Sequence, residues 1–175
     1  MAFMRVIIWR VGPLFWLLCV MSQSDKPTAK VLFRIPEEDG AANVETLWAY
    51  DLGNDLYKID NCPFYAYDVS SEDIVYAPHD PDEGRPTFTN VVTKSGNKTV
   101  RVIFIPPVEP GNSSYKILQG AVQLGASYEG ANPGYIAINI PPSLELVVIA
   151  DYLIDCGATW EHADPSHSQL YPNDA

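Results

Sequence analysis

The stretch Val91-Val-Thr-Lys-Ser-Gly-Asn-Lys-Thr-Val-Arg-Val-Ile-Phe-Ile105 decides how the chain divides. Two β-branched, apolar runs flank Lys94-Ser-Gly-Asn-Lys98, where Gly96 and Asn97 tolerate positive φ and make a hairpin turn. Thr99–Ile105 is apolar on both faces except for Arg101, the pattern of a central strand covered on two sides. Upstream of it the chain reads as strands only, and downstream helices and strands alternate. Thr99–Ile105 is therefore expected to be a central strand at the seam, shared by or bridging two halves.

Working upstream, Ala29–Ile35 alternates and stops at Pro36, and Glu37–Gly40 is a turn. Val44–Tyr50 alternates with Val44, Thr46, Trp48 and Tyr50 on one face and Glu45, Leu47 and Ala49 on the other. Asp51–Asp55 is a hairpin turn, followed by strands Leu56–Ile59, Asp73–Ala77 and Thr87–Thr93. Five short strands with tight turns predict a small, partly open barrel. The segment Asp60–Tyr65 is too apolar for a free loop, and Pro63 keeps it out of a ladder, so it is expected to fold back over the barrel mouth. His79–Pro86 reads as an exposed acidic turn.

Downstream, Asn112-Ser-Ser114 supplies an N-cap, and Ile117, Leu118, Ala121, Val122 and Leu124 recur at helical spacing before Gly125. Ser127–Gly130 and Gly134–Ile140 are strands. Ser143 is expected to cap a second helix, with Leu146, Ile149, Leu153 and Cys156 as its buried stripe and Gly157 as its stop. Ala158–His162 is a last strand, at an edge. The order from Thr99 is strand, helix, strand, strand, helix, strand, a split βαβ arrangement of the ferredoxin-like kind. The predicted class is α+β: a leader over 1–25, a barrel-like half over 26–98, a ferredoxin-like half over 99–163, and a disordered tail over 164–175.

At 175 residues and a formal net charge of −11, the chain fits one domain or two small halves sharing a core. The acidity argues against nucleic acid and against an anionic membrane, both of which want a basic face. Arg5 and Arg10, the apolar run Val11–Met21 and Ser22-Gln-Ser24 outline a secretory signal, and the run is too short to span a bilayer. The alternative is an over-extended reading frame with a start at Met21 and a cytoplasmic protein; the second is preferred because of the resemblance described next. Cys19, Cys62 and Cys156 form no disulfide framework; loss of a leader would leave Cys62 and Cys156 free to pair in a secreted form.

Glu45-Thr-Leu-Trp-Ala49, Ile59-Asp-Asn-Cys-Pro-Phe-Tyr65 and Ser95-Gly-Asn-Lys-Thr-Val-Arg101, in this order and spacing, resemble the small bacterial family catalogued as domain of unknown function 4265. The resemblance covers about Lys30 to His162. It implies a start shortly before the first strand and no signal, and it implies no activity, ligand or catalytic residue. It also implies that Cys62 occupies a position usually aliphatic.

Several residues remain as candidates for chemistry. Cys62 is read as a small buried hydrophobe rather than a nucleophile, because no histidine is placed to serve it. His79, Asp80, Asp82 and Glu83 lack the spacing of a calcium loop, and His162, His167 and Glu161 have no ligand spacing, so no metal or cofactor is assigned. Ser95 and Asn97 could present backbone N–H groups to an anion, although a plain hairpin turn is the simpler reading. Arg101 and Glu45 are each a charge within an apolar strand, and Glu45 is the first candidate partner for the arginine. They form either a structural ion pair joining the halves, the preferred reading, or a site for a small polar ligand walled by Trp48, Asn61, Phe64 and Tyr65. The function expected is a non-enzymatic protein that binds a protein partner or a small polar ligand through these residues. The alternatives are an immunity-type protein that blocks a basic toxin, motivated by the acidity, and a hydrolase or transferase using Glu45 or Cys62.

Overall fold

The computed structural model describes residues 26–36 and 42–173. The leader and the turn Glu37–Gly40 lie outside the described residues. The first strands are β1 (Ala29–Pro36), β2 (Ala42–Gly53), β3 (Leu56–Ile59), β4 (Ile74–Tyr76), a two-residue ribbon of β5 (His79–Asp80) and β6 (Arg85–Pro86), and β7 (Asn90–Thr93). Five of them form one antiparallel sheet in the order β1-β2-β3-β4-β7. The alternation read in β2 is present: Glu45, Leu47 and Ala49 are buried, and Val44, Thr46 and Trp48 face out. Leu47 and Ala49 join Val31, Phe33, Tyr57, Ile59, Val69 and Val75 in a first core, with Phe33 stacked on Phe88 at 4.6 Å between ring centroids.

This sheet does not close into a barrel. The approach of β1 to the far edge is an isolated parallel bridge between Leu32 and Thr87, in the segment leading into β7, with the Phe88 N–H donating to the Leu32 carbonyl at 2.8 Å. The reason is local. β6 lies beside β1, and the ribbon is held there by Arg34, which reaches Asp80 at 2.7 Å and Glu83 at 3.1 Å. Part of the predicted acidic turn is thus a short ribbon.

The second half runs β8 (Lys98–Ile103), α1 (Ser113–Gln123), β9 (Ser127–Asn132), β10 (Tyr135–Ile140), α2 (Leu146–Asp155) and β11 (Thr159–Asp164), followed by the single-turn α3 (His167–Leu170). Its strands form an antiparallel sheet in the order β11-β8-β10-β9. Both long helices share one core with it, made by Val100, Val102, Ile136, Ile138, Leu118, Ala121, Ile149 and Leu153. The Asn112 side chain caps α1 by accepting from the Tyr115 N–H at 2.8 Å.

Five sequence expectations differ from the structure. Lys94–Lys98 is not a hairpin turn, because β7 and β8 belong to different sheets, and β8 is central to the second sheet without being shared by the first. The link is pinned by the first half: the Ser95 N–H donates to Asp73 Oδ1 at 2.7 Å, and Asn97 Nδ2 donates to the Ser71 carbonyl at 3.0 Å. Ser143 does not cap α2. The N-cap is Glu145, without a side-chain bond, because Leu144 N–H first closes a turn onto the Pro141 carbonyl. Cys156 is exposed, since the helix ends one residue earlier and the chain turns away. The stretch from Asp164 is not an aperiodic tail throughout: Asp164 ends β11, Ser166 bridges back to Ala163, and α3 follows.

Candidate functional site

Alternation along β8 puts Thr99 and Arg101 on the face of the second sheet away from the helices, and both are buried. What covers them is the long connection from β3 to β4, residues 60–73. Its main chain is held from two directions. Glu45 reaches from β2 and accepts the N–H groups of Phe64 at 2.7 Å, Tyr65 at 3.0 Å and Ala66 at 2.9 Å. From the second sheet, Glu129 accepts the Cys62 N–H at 2.9 Å, and Tyr135 donates its hydroxyl to the Phe64 carbonyl at 2.7 Å.

Arg101 completes the arrangement from below. One of its terminal nitrogens donates to the Ala66 carbonyl, the other to Glu161 Oε1 at 3.2 Å, and its guanidinium lies 4.5 Å from the centre of the Tyr67 ring. Glu45 is therefore not the partner of Arg101. The two charges take the N–H and the C=O of one residue, Ala66, and the carboxylate that meets the arginine is Glu161, its cross-strand neighbour on β11. The Tyr67 hydroxyl donates to the second oxygen of Glu161 at 2.8 Å. Burial and Glu161 push this phenol above its usual value, partly offset by Arg101, so it stays protonated and donating at neutral pH.

A second polar cluster was not visible in the sequence. Lys94 donates to both oxygens of Asp164 at 2.8 Å, to Asp73 Oδ2 at 3.1 Å and to the Asp68 carbonyl at 2.7 Å. Ser70 donates to Asp164 at 2.6 Å and lies 2.9 Å from the Thr99 hydroxyl. Asp73 and Asp164 are buried, and the ammonium and hydroxyl donors satisfy them.

The remaining predicted residues are dispersed. Trp48 is exposed on the outer face of β2, its ring beneath the Lys30 ammonium at 4.4 Å, and its main-chain N–H donates to Asn61 Oδ1 at 2.8 Å. Tyr65 lines a cavity of about 410 Å³ with Ile35 and Val44. Arg101 lines a different one, of about 210 Å³, with Ile103, Tyr135 and Trp160. Cys62 is buried, and desolvation followed by the Glu129 charge raises its pKa far above that of a reactive thiol. Among the described residues no cluster of histidine, cysteine, aspartate and glutamate can hold a metal ion.

The feature that sequence reasoning missed is a groove beside β11. About 930 Å³ in volume, it is lined by Tyr67 and Asp68 from the connecting loop, by Trp160, Glu161 and His162 from β11, and by Ser166, His167, Ser168 and Tyr171 around α3. The rings pack on one another: Trp160 and His162 meet edge-on at 4.7 Å, and His167 and Tyr171 lie 4.8 Å apart. Burial, then the neighbouring His167, pull the His162 pKa below its ordinary 6.5, so the imidazole is neutral at pH 7. A groove of this kind offers flat apolar walls, hydroxyls and carboxylates, and no activated nucleophile.

This fold and groove define a small α+β protein built from two sheets clamped on one loop. The chain belongs to the family described as a domain of unknown function (DUF4265), which matches residues 45–162. Among solved structures, it is similar to a hypothetical protein from Neisseria gonorrhoeae at 16% identity, with 80% of this chain and 96% of that chain covered and a TM-score of 0.66. That likeness concerns the fold. No curated protein matches the chain. Among the described residues no helix is long and apolar enough to cross a membrane.

Proposed function

We propose that the protein is a non-enzymatic binding protein and that its binding surface is the groove beside β11. The observation that carries this reading is the convergence of five rings, those of Tyr67, Trp160, His162, His167 and Tyr171, with Glu161 around one open cavity. Convex protein surfaces seldom gather so many rings without a ligand to cover them. The seam residues enter indirectly: Arg101 fixes Glu161 and Tyr67, and Glu45 fixes the loop that carries Tyr67. The ferredoxin-like description of the second half and the cytoplasmic location belong to the same reading. An immunity-type role against a basic toxin is a second reading, favoured by the net charge of −11.

A fragment screen by NMR on the full chain tests the proposal. Hits are expected to shift the Trp160 indole and the Tyr171 ring, and Tyr171→Ala should weaken them without changing the melting temperature, since Tyr171 is about half exposed. Hits that cluster elsewhere, or that ignore Tyr171→Ala, overturn it.

A further inference from the structure

β11 is an edge strand. Among the described residues, its outer side meets the rest of the main chain only near its end, where the Asp68 N–H donates to the Ala163 carbonyl at 2.9 Å and Ser166 bridges Ala163. Thr159–His162 pair inward with β8, and among the described residues their outer side has no main-chain partner. The groove runs along this unpaired side. An edge left open in this way is a template for an added strand.

The lining says what such a strand would carry. It contains two carboxylates, Asp68 and the Glu161 that Arg101 meets from beneath, and no lysine or arginine lines it. Aromatic faces beside carboxylates favour a cation over a neutral or anionic group. The chain's net charge of −11 favours encounter with basic partners in general.

We infer that the groove receives an extended basic segment of a partner protein, which adds to the outer edge of β11 and places a lysine or arginine side chain against Glu161 and Asp68 between the rings. This rests on the proposed function and names the chemical class of its ligand. Main-chain bonds to Thr159–His162 supply the register, and the rings and carboxylates select the charge.

The test is an NMR titration of the full chain with a blocked pentapeptide of alternating valine and lysine. The amides of Thr159–His162 and the Trp160 indole are expected to shift, with affinity falling steadily as salt rises. Acetylating the lysines, or methylating alternate main-chain nitrogens of the peptide, should each weaken binding at least about tenfold, a loss of about 1.4 kcal/mol. Asp68→Asn keeps the side-chain acceptor and a residue type tolerant of the positive φ at this position, and should weaken binding about threefold at an unchanged melting temperature. Equal affinity for the acetylated peptide, indifference to methylation, or shifts confined to other surfaces overturn the inference. If neutral fragments shift Trp160 and the lysine peptide does not, this inference fails and the groove reading stands; if neither does, both fail.

Discussion

Glu45 offers the sharpest measurement of what holds the connecting loop against which the second sheet packs. It is 8% exposed, and its two oxygens accept three consecutive main-chain N–H groups. A hydrogen bond to a charged acceptor contributes about 1.5–3 kcal/mol and a neutral one about 0.5–1.5. Glutamine keeps one oxygen. Turned to serve Tyr65 and Ala66, it sets its NH2 against the Phe64 N–H, so one bond is lost and two become neutral. The Tyr65 end is solvated and is discounted, because Tyr65 is 52% exposed. Glu45→Gln should then cost about 2–4 kcal/mol, and Glu45→Ala about 4 kcal/mol or more. Urea denaturation reads this as a lowered midpoint at constant slope. Amide exchange should accelerate at Phe64, Tyr65 and Ala66 ahead of the strands. A Glu45→Gln variant within about 0.5 kcal/mol of the parent, with unchanged exchange at those amides, would show that the loop is held by something else.

Other substitutions report on neighbouring parts. Arg101→Met keeps volume and strands no buried charge, because the Glu161 side chain is 45% exposed; it should cost about 1–3 kcal/mol, and Arg101→Ala at least about 1 kcal/mol more, by thermal or chemical melts. Lys94→Met removes the cation between Asp73 and Asp164 and should cost about 3–5 kcal/mol, against under about 1 for Lys98→Met, by the same melts. Cys62 should resist alkylation at neutral pH while Cys156 reacts, as peptide mapping will show, and Cys62→Ala should cost about 1 kcal/mol with binding intact. His162 has its folded pKa below the unfolded 6.5, so unfolding takes up a proton as pH falls through the interval between them; stability should decline there, and His162→Phe should flatten that part of a melting-temperature profile.

What could be read in the sequence follows physical locality. β2 and α1 were legible because alternation and an Asn112 cap are properties of neighbouring residues. Arg101 stood out as a buried cation because it is the single charge in an apolar run. Its partner was assigned to Glu45 on the same ground, a lone charge in a strand. The register of β8 with β11 places Glu161 directly opposite Arg101. That pairing was within reach, since a ferredoxin-like order puts the last strand beside the first. The open outline of the first sheet was not, because closure depends on where a ribbon bound by Arg34 comes to rest. The Lys94 cluster joins residues 21 to 70 positions apart through side chains that look solvated in isolation. The groove was missed because its rings lie on one short strand, one loop and a stretch that carries no periodicity.

The two apolar cores are separate, one under the first sheet and one under the helices. Between them lie the buried polar groups Ser70, Asp73, Thr99, Arg101 and Asp164, beside small apolar residues such as Ala137. A seam of this composition is specific in register, since a shifted loop would leave charges unpaired at a cost far above that of a shifted apolar contact. It also couples stability to the groove. Tyr67 and Asp68, one wall, ride on the loop that Glu45 and Lys94 hold, whereas Trp160, Glu161 and His162, the other wall, ride on β11. Arg101 touches both walls, through Ala66 and Tyr67 on one side and Glu161 on the other. Loosening the seam should therefore widen the groove before either core melts. A variant such as Glu45→Gln is then expected to lose ligand affinity at temperatures where its circular dichroism is still that of the folded protein, a separation that an apolar interface would not produce.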